Sequence, residues 1–312
     1  MSKFLVTGGA GFIGSHIVET LVKAGQSVRI LDNFSSGKKE NLSPFKSRIE
    51  LVNGDIRDKH TCLRAVKGMD FILHQAALRS VPKSMLCPED YNHVNIGGTL
   101  NMIEAAAKAK VKRFVFASSS SVYGDVSKFP QKEDFLPKPI SPYALTKLTG
   151  EHYCKIFSLY YGLPTVCLRY FNVFGPRQSL DDEYAVVIPK FITCLLKNVR
   201  PPIFGNGKQS RDFTYVGNVA RANILATQKK AFKGDVFNVA LGKDYTVLEL
   251  VQILNRILGK NIKPVFLKPR PGDVFRTNAD VSKVRGQLGL ISCLGFIEGL
   301  KQTVEYFRGK YE

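Results

Sequence analysis

A glycine-rich turn near the amino terminus most constrains what this chain can fold into. The apolar run Phe4-Leu5-Val6 predicts a buried strand, and the spacing of apolar residues over 12–23 predicts a helix. Between them, Gly8, Gly11 and Gly14 form a GxxGxxG pattern. The first glycine allows a tight turn, the second lets the backbone approach a pyrophosphate, and the third lets the helix pack close to the strand. Because amide groups at a helix N-terminus face phosphates, the turn predicts a dinucleotide site.

An acidic residue follows this turn at the spacing of a ribose contact. Asp32 ends the second predicted strand, eighteen residues after Gly14. A carboxylate there accepts hydrogen bonds from the adenosine ribose and repels a 2′-phosphate, which favours NAD over NADP. Asn33 follows, and no arginine stands in the next positions. Asp55 ends another apolar run and suits contact with an adenine edge, although a capping role stays open.

Strands alternate with helices through the first half of the chain. Further apolar runs at 71–73, 114–116 and 164–168 are separated by segments with helical periodicity. This alternation predicts an α/β fold with a Rossmann-like, doubly wound parallel sheet covered on both faces. Prolines and glycines cluster beyond the last of these strands. We therefore predict an NAD-binding Rossmann domain over 1–170 and a smaller α/β substrate-binding lobe over 171–312, with an interleaved boundary that parts of the chain cross.

Charge and composition narrow the function classes. Lysine and arginine number 45 against 26 acidic residues, and the net charge of +19 favours anionic partners. Since there is no block of like charges and no RNA-binding motif, phosphorylated small molecules are favoured over nucleic acid. No apolar stretch approaches the length of a membrane helix, no signal peptide is evident, and the six cysteines form no CxxC pair. We expect a cytoplasmic protein with reduced thiols, no membrane insertion and, without HxH or HExxH spacing, no metal site.

A tyrosine and a lysine lie one helical turn apart. Tyr143 and Lys147 occupy i and i+4 of a predicted helix over about 143–161, so both side chains share one face. Tyrosine has a pKa near 10 and is therefore a poor base at neutral pH. Lowering its pKa by about three units requires about 4 kcal/mol, which a neighbouring ammonium and a cationic nicotinamide can supply. The serine-rich loop around Ser119 follows a predicted strand at the carboxyl edge of the sheet, where ligands bind. A hydroxyl there can pass or hold a proton beside Tyr143.

Together these motifs make the chain resemble the extended short-chain dehydrogenase/reductase family and, within it, the NAD-dependent UDP-sugar 4-epimerases. The resemblance covers nearly the whole chain, and its combination of motifs is specific in order and spacing. The segments that carry it are Thr7 to Gly14, Asp32-Asn33, His74 to Ala77, Asn95, the Ser119 loop, Tyr143 to Lys147, Leu168 to Pro176, Phe204 to Gly207, Ser210 to Phe213 and Arg270 to Asp273.

The resemblance implies roles for particular residues. The implied catalytic residues are Ser119, Tyr143 and Lys147. The implied NAD contacts are Gly8, Gly11, Phe12, Ile13, Gly14, Asp32, Asn33, Gly37, Asp55, Ile56, Gln75, Ala76, Ala77, Asn95, Ser118, Tyr143, Lys147 and Tyr170. The implied substrate contacts are Ser80, Ser119, Ser120, Tyr143, Asn172, Val187, Ile203, Phe204, Arg211, Arg270, Asp273 and Thr277.

Within the substrate set, the resemblance implies that Asn172, Arg211 and Arg270 hold the UDP diphosphate, which suits the planar fork of arginine. It also implies that Asp273 contacts the uridine ribose and that Val187, Ile203 and Phe204 flank the uracil.

The implied reaction is reversible C4 epimerisation of a UDP-hexose through a transient 4-keto sugar, with NAD tightly bound. Tyr143 as phenolate removes the proton of the sugar 4-hydroxyl with Ser119 as a relay, and Lys147 holds the nicotinamide ribose and keeps the Tyr143 pKa low. The keto sugar turns about its diphosphate link before it is reduced on the other face. A homodimer is implied, with a four-helix interface formed by helices over about 91–109 and 143–161.

Positions at which this chain differs from related enzymes indicate the reaction and the substrate. Related sugar dehydratases and decarboxylases carry a carboxylate just before the Val-Tyr-Gly step, whereas Ser120 and Ser121 stand here, which favours epimerisation. Thr277, three residues before Asp280, aligns with a gate residue and leaves room for an acetamido group. UDP-GlcNAc/UDP-GalNAc is thus expected, with UDP-Glc/UDP-Gal also accepted. UDP-glucuronate stays open as a substrate because Arg79 adds positive charge for an acidic sugar. Two other functions also stay open: a decarboxylase, dehydratase or ketoreductase acting on a nucleotide sugar, and a non-catalytic cofactor sensor or RNA-binding protein.

Overall fold

The computed structural model describes residues 1–179, 187–228, 232–269, 274–291 and 294–311. Within them, a seven-stranded parallel sheet forms the centre of the molecule. Its strands in chain order are β1 Lys3–Thr7, β2 Ser27–Asp32, β3 Ile49–Asn53, β4 Phe71–His74, β5 Arg113–Ser119, β6 Thr165–Tyr170 and β11 Asp235–Val239.

The order of these strands decides where a ligand can bind. The sheet runs β11-β6-β5-β4-β1-β2-β3, with every neighbouring pair parallel. The chain winds outward in one direction from β1 to β3 and in the other direction from β4 onward. A crevice therefore opens at the carboxyl ends of β1 and β4, which is the position where doubly wound sheets bind nucleotides.

Helices cover both faces of this sheet and build the second lobe. None of the described helices is both long and apolar enough to cross a membrane. The helices are α1 Phe12–Lys23, α2 Lys59–Val66, α3 Val81–Leu86, α4 Pro88–Tyr91, α5 Gly98–Lys108, α6 Pro142–Tyr160, α7 Val187–Leu196, α8 Val216–Gln228, α9 Val247–Leu258 and α10 Phe296–Tyr311.

Alternation along each central strand divides the main core into two layers. Val6 and Ile30 belong to a buried cluster that includes residues of α1 and α8, whereas Leu5 and Leu31 belong to a cluster that includes residues of α2 and α5. Side chains of successive strand residues point to opposite faces, so both faces need an apolar cover. The near-continuous apolar runs of these strands follow from that double burial.

Short two-stranded pairs and three helices form the second lobe. A third core cluster joins α7, α9 and α10, with Ile203 and Phe213 among its buried members. Helix α9 begins with a capping box between Thr246 and Glu249 and ends at Gly259 in the left-handed region. The strand pairs are β7 Val173–Phe174 with β10 Thr214–Tyr215, β8 Pro202–Phe204 with β13 Val265–Leu267, and β9 Ser210–Asp212 with β12 Asp244–Thr246.

Two elements from the second half of the chain lie on the first half. Strand β11 pairs in parallel with β6 at the edge of the large sheet, and α8 packs against α1. The helix expected over about 91–109 is interrupted. Its first turn, α4, is followed by a π-helical segment, Asn92–Gly97, before α5 begins.

Candidate active site

A cavity of about 380 Å³ opens along the glycine turn at the carboxyl ends of the central strands. Its wall joins the turn after β1 to Tyr143 and Lys147 on α6, so one cleft contains both sequence motifs. The predicted NAD contacts that line it are Gly8, Gly11, Phe12, Ile13, Gly14, Asp32, Asn33, Gly37, Asp55, Ile56, Gln75, Ala76, Ala77, Ser118, Tyr143, Lys147 and Tyr170.

The glycine turn forms a cradle that side chains would fill. Gly8 has φ +66° and donates its N–H to the Leu31 carbonyl at 2.8 Å. A Cβ on Gly8 would lie 2.9 Å from Ala76 Cα, and one on Gly14 would overlap the Gly8 carbonyl oxygen. Gly11 precedes α1 without a side-chain cap, so the first amides of the helix can bind an anion. The cradle fits a dinucleotide pyrophosphate.

Two acids, Asp32 and Asp55, lie at the end of the cavity where the sequence predicts the adenosine. Asp32 accepts hydrogen bonds from the Ala10 and Phe34 N–H groups at 2.9 and 2.8 Å, and burial raises its pKa. Asn33 donates to Asp55 at 2.8 Å, and the Arg57 guanidinium lowers the pKa of Asp55 to about 2. Arg57, two residues after Asp55, also lines the cavity, and the sequence analysis did not single it out.

Helix α6 carries the tyrosine and the lysine at the other end. Ser141 caps it by accepting the Ala144 N–H at 3.2 Å, and Pro142 occupies its first turn. Lys147 is buried and donates from Nζ to the Ala117 carbonyl at 2.8 Å. Its Nζ lies 5.9 Å from the centre of the Tyr143 ring. Burial lowers the pKa of Lys147 to about 8.

Burial works against the phenolate form that Tyr143 needs as a proton acceptor. Burial raises the pKa of Tyr143, and a hydrogen bond with Ser119 and the charge of Arg79 lower it only in part. The Lys147 ammonium donates to the Ala117 carbonyl and lies 5.9 Å from the centre of the Tyr143 ring. The expectation that Lys147 and a cationic nicotinamide together keep the Tyr143 pKa low stays a prediction. A further positive charge at the nicotinamide position is needed to favour the phenolate.

Ser119 lies at the carboxyl end of β5 and is suited to relay a proton. It is 9% exposed, and its Oγ accepts the Ser121 N–H at 3.2 Å and lies 3.0 Å from Ser121 Oγ. Ser120 begins the 3-10 turn Ser120–Tyr123 and is half-buried. Ser80 caps α3 by accepting the Lys83 N–H and donates its own N–H to the Tyr91 hydroxyl at 3.0 Å.

Several predicted substrate contacts meet in the second lobe. Asn172 Nδ2 donates to the Thr277 hydroxyl at 2.9 Å and to the Asp212 carbonyl at 3.2 Å. Arg211 precedes Asp212 on β9 and donates to the Ser210 and Phe275 carbonyls. Val187 and Phe204 are half-buried. The predicted contacts Arg270 and Asp273 lie outside the described residues.

Two residues predicted to contact a ligand, Ile203 and Asn95, contact other parts of the protein. Ile203 is 1% exposed and belongs to the apolar core of the second lobe, so its side chain contacts that core and cannot flank a uracil. Asn95 is 2% exposed, and its side-chain amide bonds the Leu78 backbone and the Thr146 hydroxyl. It therefore holds the chain after β4 against α6 and does not line the cavity.

Arg177 is a further cavity residue that sequence reasoning did not single out. It lines the cavity beside α1, forms an ion pair with Glu19 and donates to His16 Nδ1 at 3.1 Å. The available signal was its place after Gly175-Pro176, immediately beyond a quoted motif. Among the described residues, no group of three or more His, Cys, Asp or Glu side chains could hold a metal ion.

The sheet order, the glycine cradle and the Tyr143–Lys147 pair define a dinucleotide-dependent enzyme of the short-chain dehydrogenase type. The family model described as the NAD dependent epimerase/dehydratase family matches residues 4–240. The chain belongs to this family. The expected family, Rossmann-like fold and NAD cofactor are thereby confirmed.

Individual relatives agree along the whole chain. A putative UDP-glucose 4-epimerase of Methanocaldococcus jannaschii is 41% identical, with 97% of this chain and 98% of the relative covered. A UDP-N-acetyl-alpha-D-glucosaminuronate decarboxylase of Bacillus cytotoxicus is 35% identical, with 98% of each covered. A structure of UDP-N-acetylglucosamine 4-epimerase from Methanobrevibacter ruminantium M1 in complex with UDP-N-acetylmuramic acid is 43% identical, with a TM-score of 0.93 and 99% of each chain covered.

Proposed function

We propose that this chain is an isomerase, an NAD-dependent UDP-sugar 4-epimerase. We further propose that it interconverts UDP-GlcNAc and UDP-GalNAc and also accepts UDP-Glc and UDP-Gal. The observation that carries the proposal is the presence of Tyr143 and Lys147 in the wall of the cavity that the glycine cradle begins, with Ser119 beside Tyr143. This arrangement combines a proton acceptor with a site for a hydride carrier.

The protein residues orient the substrate and move one proton. Tyr143 takes the proton of the sugar 4-hydroxyl, either directly or through Ser119, and returns it when the sugar is reduced again. Lys147 bonds the nicotinamide ribose, and Asn172 and Arg211 hold the diphosphate while the sugar turns. NAD, when bound, supplies the reversible two-electron oxidation at C4. Strong diphosphate contacts and weak sugar contacts suit a substrate that has to present both faces.

The acids around the cavity favour epimerisation over elimination or decarboxylation. Among the described residues that line it, the carboxylates are Asp32, Asp55 and Asp90. Asp55 bonds Arg57, and Asp90 is close enough to raise the pKa of the same arginine. These acids thus belong to the adenosine end. The residues beside Ser119 are Ser120 and Ser121, which carry no carboxylate for a second proton transfer.

The gate residue supports an N-acetylated substrate. Thr277 is small, and its hydroxyl accepts hydrogen bonds from Asn172 Nδ2 and from the Asp212 N–H. A threonine at this position is smaller than an aromatic residue, so we propose that it admits an acetamido group. The structural relative in complex with UDP-N-acetylmuramic acid supports such a pocket.

A second candidate substrate is UDP-glucuronate. Arg79 lines the cavity, and its charge lowers the pKa of Tyr143. An arginine this close to the catalytic phenol can also bind a sugar carboxylate. UDP-glucuronate carries a carboxylate at C6 and lacks the acetamido group of UDP-GlcNAc, so a direct comparison of turnover separates the two substrates.

We propose that two copies associate through α6. Its residues Leu145, Ile156 and Leu159 are 52%, 43% and 50% exposed and lie on one helical face. Ile156→Lys should halve the mass measured by light scattering, whereas Leu136→Lys, at a side chain that is 76% exposed and outside the helix, should leave it unchanged. Equal masses for wild type and Ile156→Lys would refute this interface.

We also propose that 171–312 forms the UDP-sugar lobe, with β11 and α8 returning to the NAD domain. A cytoplasmic location stays a prediction from the cysteine pattern.

The decisive experiment is turnover of three UDP-sugars. Purified protein is incubated separately with UDP-GlcNAc, UDP-Glc and UDP-glucuronate, and products are resolved by NMR and mass spectrometry. We expect UDP-GalNAc and UDP-Gal at unchanged mass. Thr277→Tyr should abolish turnover of UDP-GlcNAc but retain that of UDP-Glc, whereas Thr277→Ser should retain both. Loss of carbon dioxide from UDP-glucuronate would refute epimerisation and indicate a decarboxylase. Isomerisation of UDP-glucuronate alone would support epimerisation but refute UDP-GlcNAc and UDP-Glc as substrates.

A further inference from the structure

Helix α6 is joined to the end of β5 by three polar contacts at four-residue intervals. Ser119 lies close enough to the Tyr143 phenol to lower its pKa, and Lys147 donates to the Ala117 carbonyl at 2.8 Å. One turn further along, Glu151 accepts a hydrogen bond from Ser118 Oγ at 2.5 Å. Residues four apart on a helix share one face, so all three contacts form a single seam. The first two involve the proposed catalytic residues, and the third joins Ser118, a predicted NAD contact, to Glu151, which has no assigned role.

The third contact is buried and fully paired. Glu151 is 6% exposed and Arg169 is 3% exposed. The Arg169 guanidinium donates to the two carboxylate oxygens of Glu151 at 2.8 and 2.7 Å, in the bidentate geometry that fixes both groups. Glu151 therefore accepts three hydrogen bonds, and a neutral side chain cannot accept the same set. Breaking such a pair from one side leaves a buried charge uncompensated.

Arg169 connects this seam to the neighbouring strand. It stands directly opposite Ser118 in the β5–β6 register, and its guanidinium lies 4.6 Å from the centre of the Tyr123 ring. Tyr123 in turn donates to Asn238 on β11 at 2.7 Å. The Ser118 side chain is thus held from α6 and β6 together. Because Ser118 lies between Ala117 and Ser119, this hold sets the backbone on which both catalytic contacts depend.

We propose that Glu151 is a positioning residue that, together with Arg169, holds Ser118 so that Ser119 and the Ala117 carbonyl meet Tyr143 and Lys147. Its role in turnover rests on the proposed epimerase function. Removing the Glu151 charge loosens the strand end, lengthens the Ser119–Tyr143 hydrogen bond and moves the Lys147 ammonium. The diphosphate contacts on the second lobe are untouched, so the KM for the UDP-sugar is retained while kcat falls.

The test compares deletions of two buried hydroxyls that donate to α6 at positions three residues apart, Glu151 and Cys154. Ser118→Ala removes the seam contact and leaves the Glu151–Arg169 pair intact. Thr165→Ala is the matched control, because Thr165 is fully buried and its Oγ1 donates to the Cys154 carbonyl of α6 at 2.7 Å, on the side away from the cavity. Glu151→Gln, which retains the size of the side chain, is the second seam variant. Each is assayed at saturating NAD for kcat, KM, pH dependence of kcat and melting temperature.

We expect Ser118→Ala and Thr165→Ala to lower the melting temperature by similar amounts. Only Ser118→Ala should lower kcat, about tenfold, and Glu151→Gln about 10²-fold, with KM within threefold of wild type. The acidic limb of the kcat profile should move up by about one pH unit in both seam variants, because the Ser119 bond that favours the phenolate weakens. Unchanged kcat and pH profile in Ser118→Ala would overturn the proposal, whether or not Glu151→Gln folds.

A second readout does not depend on turnover. The phenolate absorbance of Tyr143 is titrated with NAD bound, as the difference between proteins with and without Tyr143→Phe. Ser118→Ala should shift this titration to higher pH, and Thr165→Ala should not. If wild type turns over no UDP-sugar, the proposed function fails, whereas equal titrations of wild type and Ser118→Ala refute the positioning role itself.

Discussion

Substituting Gly14 tests the dinucleotide cradle most directly. A Cβ at this position would overlap the Gly8 carbonyl oxygen and lie 2.9 Å from both the Gly8 carbonyl carbon and Gly9 Cα. Carbon atoms in contact prefer about 3.5–4.0 Å, so Gly14→Ala requires a displacement on the order of 1 Å. The turn has little room to move away, because a Cβ on Gly8 would already lie 2.9 Å from Ala76 Cα.

The displacement falls on the amides that face the pyrophosphate. Losing one hydrogen bond to a charged group costs about 1.5–3 kcal/mol, which corresponds to about a 10- to 100-fold weaker Kd. We expect Gly14→Ala to weaken NAD binding by that factor, measured by isothermal titration calorimetry on protein stripped of nucleotide. Overpacking should also lower the free energy of unfolding by about 1–3 kcal/mol.

The matched control is Gly309→Ala in α10, where an added Cβ meets no atom within 4 Å. This variant should bind NAD normally, and its free energy of unfolding should rise by up to about 1 kcal/mol because alanine favours a helix over glycine. If Gly14→Ala bound NAD within twofold of wild type, the proposed cradle would not be the pyrophosphate site.

Three further predictions concern other parts of the site. Tyr143→Phe should lower kcat by about 10²–10⁴-fold and leave NAD and UDP-sugar affinities nearly unchanged in equilibrium binding; near-normal turnover would refute its role. Asp32→Asn should reduce the preference for NAD over NADP by about tenfold, since a charge that repels the 2′-phosphate is lost, and an unchanged ratio of Kd values would contradict this. Burial lowers the pKa of His74 to about 3, so the folded state excludes the protonated form. Because the unfolded state alone takes up the proton, the free energy of unfolding should fall by about 1.4 kcal/mol for each pH unit between 6.5 and about 3. Chemical denaturation of His74→Gln should show a flatter pH dependence, and equal slopes for the two proteins would contradict this.

Local patterns were sufficient to predict much of the fold. The glycine spacing, the apolar strands and the helical periodicity each depend on neighbouring residues, and the structure has β1, α1 and β2 where they were expected. The position of β11 was not predicted, because its pairing with β6 joins segments about 70 residues apart in the chain. The π-helical interruption at Asn92–Gly97 also lacked a local signal, since apolar periodicity continues through it.

The hydrogen bonds and pKa values of the candidate site also could not be predicted from local patterns. The i, i+4 spacing of Tyr143 and Lys147 correctly predicted a shared face, and both residues line the cavity. Spacing alone does not show that the ammonium donates to the Ala117 carbonyl or that burial raises the pKa of the phenol. Likewise, the partner of Asn95 became evident only when Leu78 and Thr146 were seen beside it.

The sequence by itself determined the family, the nucleotide-binding turn and the identities of the reactive groups, because these depend on residue type and short-range spacing. Only the tertiary structure decided which groups meet and in what protonation state. The seam of Tyr143, Lys147 and Glu151 against β5, and the pairing of Glu151 with Arg169, arise from contacts between distant segments. Hydrogen bonding and the pKa of a group depend on the atoms that surround it in space, and those atoms come from strands and helices that the order of the chain does not place side by side.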